Sequence, residues 1–97
     1  MTDLASLLPL TNATIMEAYI YLVAPWVKDL GLCELSVSEG HASARLPQNP
    51  ALKISSGAVC GQAIMSAIDT VVAMAMLTTQ RVTKGTVYQH THFLRPA

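Results

Sequence analysis

The sequence predicts an α+β domain in which a long apolar helix packs with an antiparallel sheet, and three stretches carry that prediction. Residues 57–79 hold a single charged residue, Asp69, and no proline. The run is too long for a strand, and its alanines, methionines and leucine favour helix. Residues 32–46 alternate apolar and polar positions on either side of Glu39-Gly40, the pattern of a β-hairpin. Residues 86–94 alternate again after the turn residues Thr83-Lys84-Gly85, which predicts a further strand.

The remaining elements follow in chain order. Ile15, Met16, Tyr19, Ile20, Leu22 and Val23 recur at mostly helical spacing, so residues 12–24 are read as a short amphipathic helix. Thr11 or Asn12 is its N-cap, and Pro25 ends or kinks it. Residues 47–57 contain two prolines, an asparagine, two serines and a glycine, and form a loop. The helix over 57–79 is expected to be almost wholly buried. No repeat or linker divides the chain, so residues 1–97 are one domain.

Composition bounds the partners. Apolar residues make up 52% of the chain and charged residues 12%, against average usage of roughly 45–50% and 25%. A 97-residue domain buries a modest share of its surface. The excess apolar surface therefore implies a homo-oligomer. Six basic and six acidic residues cancel and are scattered, which argues against nucleic acid and anionic membrane as partners. Cys33 and Cys60 stand outside any CxxC spacing, and the N-terminal residues lack a basic leader segment. Both features lead to the expectation of a reduced, cytoplasmic protein.

Asp69 raises the functional question. A membrane span would place a carboxylate near the bilayer centre at a cost of roughly 2.5–3.5 kcal/mol, with Gln62 and Ser66 adding to it. A structural carboxylate would need a donor, yet no Lys or Arg lies within two turns of the helix. The third reading is ligand contact or catalysis. Gln62, Ser66 and Asp69 fall at i, i+4 and i+7, a narrow polar stripe on an apolar helix. Apolar walls would desolvate the carboxylate and make it a stronger base toward water or an acyl carbon. Upstream, Cys60-Gly61 opens the helix, whose unpaired N–H groups can hold a developing oxyanion.

Other residues invite weaker readings. His90 and His92 share a strand face and, with His41, have the donor types for a metal, but two histidines at i, i+2 do not define a site and none is assigned. Cys60 at a helix start is either a nucleophile or a small packed side chain. Met65, Met74 and Met76 suit an acyl tunnel or plain core, and Trp26, Tyr19 and Tyr21 a pocket mouth or subunit seam.

The segments "GAVCGQAIMSAIDTVVAMAM" and "GTVYQHTHFLRPA" resemble the hotdog-fold acyl-CoA thioesterases of the phenylacetate-pathway type, over about Asn49 to Ala97. The resemblance implies a central helix wrapped by an antiparallel sheet, with each active site assembled across a dimer interface and dimers able to pair into tetramers. It also implies a hotdog incomplete at its C-terminus, since the family continues with further strands. Asp69 matches the catalytic acid, Gly61 the glycine whose N–H polarises the thioester carbonyl, and Thr86 the residue positioning water or substrate. Asn49 resembles a loop asparagine assisting that water. Cys60 stands where the family has histidine and Gln62 where it has a second glycine, and the loop after Asn49 is longer. With Ser66, these residues are the expected substrate contacts.

The resulting expectation is an enzyme that hydrolyses an acyl-CoA or similar thioester without a cofactor. The alternative is a non-catalytic hotdog module that binds acyl-CoA or a lipid-like ligand.

Overall fold

The computed structural model describes residues 5–79 and 89–95. It is an α+β fold of three helices, α1 (Ile15–Leu22), α2 (Pro25–Lys28) and α3 (Gly61–Leu77), and a two-stranded antiparallel sheet of β1 (Cys33–Ser38) and β2 (His41–Arg45), with α1 and α3 packed against the strands. Short 3-10 turns lie at Ala5–Leu7 and Pro50–Leu52.

Local chemistry sets the boundaries of α1. The Ala13 N–H donates to Thr11 Oγ1 at 3.2 Å and the Thr11 N–H to Thr14 Oγ1 at 3.1 Å, a turn that delays the helix until Ile15. Asn12 does not cap the helix as expected; its Oδ1 accepts from the Val37 N–H at 2.8 Å and ties the turn to β1. Pro25 begins α2 rather than merely ending α1, because its fixed φ suits a first helical position and the preceding Ala24 is extended. The Gly31 N–H closes back on the Lys28 carbonyl at 3.1 Å, with Gly31 in the left-handed region at φ 73°.

The hairpin pairs Ser38 with His41, Val37 with Ala42, Ser36 with Ser43 and Cys33 with Arg45. A bulge interrupts it between Cys33 and Ser36, where Glu34 takes a φ of 53° that side-chain-bearing residues rarely adopt. At the far end, Thr78 Oγ1 accepts from the Gly40 N–H at 2.7 Å and donates to the Ala75 carbonyl at 2.6 Å. That one hydroxyl joins the hairpin turn to the end of α3.

The core lies where α1, β1 and α3 meet: Ile15, Ala18 and Tyr19 pack with Leu30, Leu32, Val37, Ala63, Met74 and Leu77. The helix expected over 57–79 is regular over Gly61–Leu77 and is not almost wholly buried. Its buried residues are Ala63, Thr70, Met74 and Leu77, whereas Met65, Ile68, Val72 and Met76 are exposed. Of the strand expected over 86–94, residues 86–88 lie outside the described residues. Residues 89–94 carry no ladder, and Gln89 gives its side-chain amide to the Met65 carbonyl at 3.2 Å. Among the described residues no helix is long and apolar enough to cross a membrane.

Two outcomes test this packing. Met74 is fully buried, so Met74→Ala should destabilise the fold by about 2–5 kcal/mol in urea denaturation. Burial pushes the Tyr19 phenol above its ordinary value of 10.0 while its hydroxyl donates to the Val27 carbonyl at 3.4 Å. The folded state resists tyrosinate formation, so stability should hold below the unfolded value of about pH 10 and fall as the pH rises through the folded one. Tyr19→Phe should flatten that alkaline loss in pH-dependent melting.

Candidate functional site

The site is built on α3. Cys60 is the extended N-cap residue, with no side-chain cap, and its carbonyl accepts from the Ala63 and Ile64 N–H groups at 3.2 and 3.3 Å. Gly61 and Gln62 are left as first-turn donors without an intrahelical acceptor. The loop feeding this end is fixed locally: the Cys60 N–H donates to the Leu52 carbonyl at 2.7 Å, and Lys53 pairs with Val59 in an isolated bridge. Cys60 itself is half-buried.

Asp69 is exposed. The expectation of a buried carboxylate is corrected: the covered face of α3 follows Thr70 and Met74, and Asp69 lies beside that face, toward exposed Met65 and Met76. It borders a groove of about 200 Å³ between α3 and the α1–α2 junction, where Ser66, Asp69 and Thr70 face Leu22, Val23 and Trp26. The Thr70 hydroxyl is turned back to the Ser66 carbonyl at 2.8 Å, and the Ser66 and Asp69 side chains are the other polar groups that α3 brings to this groove.

The expected stripe is therefore divided. Ser66 and Asp69 share the groove, and exposed Gln62 does not line it. Gly61 and Asp69 stand on the same broad outward face, but eight residues of helix separate them by about 12 Å along the axis. Within one chain they cannot address the same carbonyl. Asn49 has a structural task, since its Oδ1 accepts from the Ala51 N–H at 3.0 Å and caps the 3-10 turn. Thr86 lies outside the described residues.

Two features were not foreseen from the sequence. Phe93 packs over the start of α3, its Cζ 3.6 Å from where a Cβ on Gly61 would sit. A second, apolar groove of about 330 Å³ runs between β2 and α3, with Ser43, Ala44 and Leu46 facing Ile68, Val71 and Val72. Alternation marks the strand and periodicity the helix, but neither signals which helix face the strand covers. Of the aromatic residues proposed for a pocket mouth, Trp26 lines the Asp69 groove, Tyr21 is exposed and Tyr19 belongs to the core. The His90 and His92 rings lie against each other tilted by 43°, with centroids 4.4 Å apart. Among the described residues no group of three or more His, Cys, Asp or Glu is placed to hold a metal.

Compared with known proteins, the chain matches no family model, no curated protein and no solved structure.

Asn49→Ala should lower stability by about 0.5–2 kcal/mol through loss of the cap, measured by urea denaturation. Asn49→Asp, which retains the acceptor, should restore most of it.

Proposed function

We propose that the chain is a hotdog-type thioesterase that hydrolyses an acyl-CoA or related thioester at sites shared between two copies. The observation that carries this reading is the outward face of α3, which presents Gly61 and Asp69 together with the exposed apolar Met65, Ile68, Val72 and Met76.

The 12 Å separation noted above fits a shared site. Two α3 helices related by a two-fold axis perpendicular to them run antiparallel, and residues equally far before and after the axis then face each other across the pair. Met65 lies midway between Gly61 and Asp69. With the axis near Met65, Asp69 of one copy comes opposite the partner's Gly61, and the apolar stripe is buried between the copies.

The chemistry then divides between them. The N–H at the start of one α3 donates to the thioester oxygen and stabilises the negative charge that develops there. Asp69 of the other copy accepts a proton from water as the water oxygen bonds to the acyl carbon. The carbon–sulfur bond breaks and the sulfur leaves as thiolate to be protonated, giving a carboxylic acid and a free thiol. Ser66, which lines the groove with Asp69, would hold that water or the substrate, with Thr86 and Gln62 as further contacts implied by the resemblance.

Phe93 at Gly61 favours a second reading, a non-catalytic module that binds acyl-CoA, because the ring restricts approach to the first turn of α3. Thiol release from a panel of aliphatic and aromatic acyl-CoAs separates the two. Turnover by the wild type, falling at least about 100-fold in Asp69→Asn with folding intact, is expected for the hydrolase. A folded wild type that binds the panel without releasing thiol beyond the two equivalents its own cysteines can perturb supports the binding module.

A further inference from the structure

Residues 89–95 lie against the start of α3 without joining the sheet. The Gln89 side-chain amide donates to the Met65 carbonyl at 3.2 Å and to Thr91 Oγ1 at 3.4 Å. The Phe93 ring rests on the first residue of the helix, its Cζ and Cε1 3.6 and 4.0 Å from where a Cβ on Gly61 would sit. From Gln89 to Phe93 the segment advances four residues while its contacts retreat four residues along the helix, from Met65 to Gly61. It is therefore antiparallel to the first turn of α3, over about 6 Å of axis.

That position competes with a ligand. Gly61 has no side chain, so a flat group can rest directly on its backbone, and Phe93 is that group. A thioester held by the Gly61 N–H brings its carbonyl oxygen to about 3 Å from the nitrogen. Its two arms then need the space beside the same residue that the ring fills.

The hold is also of a kind that gives way. Residues 89–95 belong to no helix or strand, so no ladder of backbone bonds has to break. Phe93 lies outside the core with 52% of its surface exposed, and Leu94 is 91% exposed. The Met65 carbonyl that Gln89 reaches already takes the Asp69 N–H within the helix, so release of the amide leaves no helix acceptor unpaired.

We infer that residues 89–95 form an autoinhibitory strap that closes the start of α3 and that a bound thioester displaces. The inference rests on the thioester reading of the Gly61 end and adds its regulation: Phe93 sets how often that end is open. Ligand binds the open form, and the apparent affinity is reduced by the open fraction. Half-burial of a phenyl ring favours the closed form by about fivefold. The strap thus changes the concentration at which substrate is taken and leaves the chemistry that follows as it is.

Steady-state kinetics on the acyl-CoA panel test it, together with binding of S-hexyl-CoA and S-benzyl-CoA, thioethers that resist hydrolysis. Phe93→Ala should lower KM about fivefold at unchanged kcat and tighten both thioethers by the same factor, with cooperative unfolding retained. Gln89→Ala, which leaves the ring in place, should shift both in the same direction by about twofold. In the free chain, NOEs should connect the Phe93 ring to the Gly61 α protons, and saturating S-hexyl-CoA should abolish them. A folded Phe93→Ala with KM and thioether affinities unchanged or weaker overturns the inference. So does a fall in kcat alone, which marks a packing role, or NOEs that persist at saturation. If Phe93→Ala fails to fold, Gln89→Ala and the NOEs decide. Where the chain binds without turnover, the thioether affinities carry the comparison. Turnover or binding that neither substitution alters removes the strap and keeps the thioester reading. Wild-type and Phe93→Ala chains that neither turn over the panel nor bind the thioethers remove that reading, and the strap falls with it.

Discussion

Everything in the fold depends on covering one side of α3. A helix of 17 residues with a single charge cannot stand in water on its own, and its marginal self-stability has to come from packing. Leu7, Leu10, Ile15, Ala18, Leu32 and Val37 supply that packing, and Met74 and Leu77 are left with no exposed surface. The hairpin reaches the same face through Leu35, Ala42 and Ala44, whose half-buried side chains alternate with the outward serines, histidine and arginine. The chain covers one face of the helix and leaves the other open.

That asymmetry gives Asp69 its character. A carboxylate on the covered face would lose its hydration without a cation nearby to offset the loss. On the open face it keeps its water while standing among methionines and valines that a ligand or a second helix can reach. The apolar residues around it belong to a surface, and the carboxylate is a polar mark on that surface. The two grooves flanking it differ accordingly: one has the carboxylate and an indole, and the other only aliphatic walls and a serine.

The class of fold and the order of its elements are legible in the residues, because periodicity and turn chemistry are local. The alternation through Leu32 to Leu46 and the uninterrupted run around Asp69 correspond to β1, β2 and α3. Burial is less legible. An apolar run reads as buried whether its surroundings cover all of it or half, and the chain's own elements decide that only when assembled. Asn12 shows the same limit at one residue: its type is right for a helix cap, but a β1 amide outcompetes the helix for its oxygen. Of the candidate site, the pairing of Ser66 with Asp69 follows from helical spacing, whereas the separation of Gly61 from Asp69 becomes a constraint only when it is set against the reach of a single carbonyl. The capping task of Asn49 could be read from the Asn-Pro-Ala sequence that begins the turn.

The hydrogen bond from the Leu10 N–H to the Leu77 carbonyl, at 3.0 Å, joins the two ends of the packed unit. Thr78 adds a second tie to Gly40, a position 38 residues away. Both close long stretches of chain, and the entropy of closing them is lost before the contacts can repay it. The helix and the hairpin can each begin from local contacts, and the start of α3 is tied locally to Leu52, but its C-terminal end gains the Leu10 tie only when the N-terminal segment arrives. Topology thus favours local elements first and the clasp last, and the Leu10 tie, formed late, should weigh more on the rate of unfolding than on that of folding.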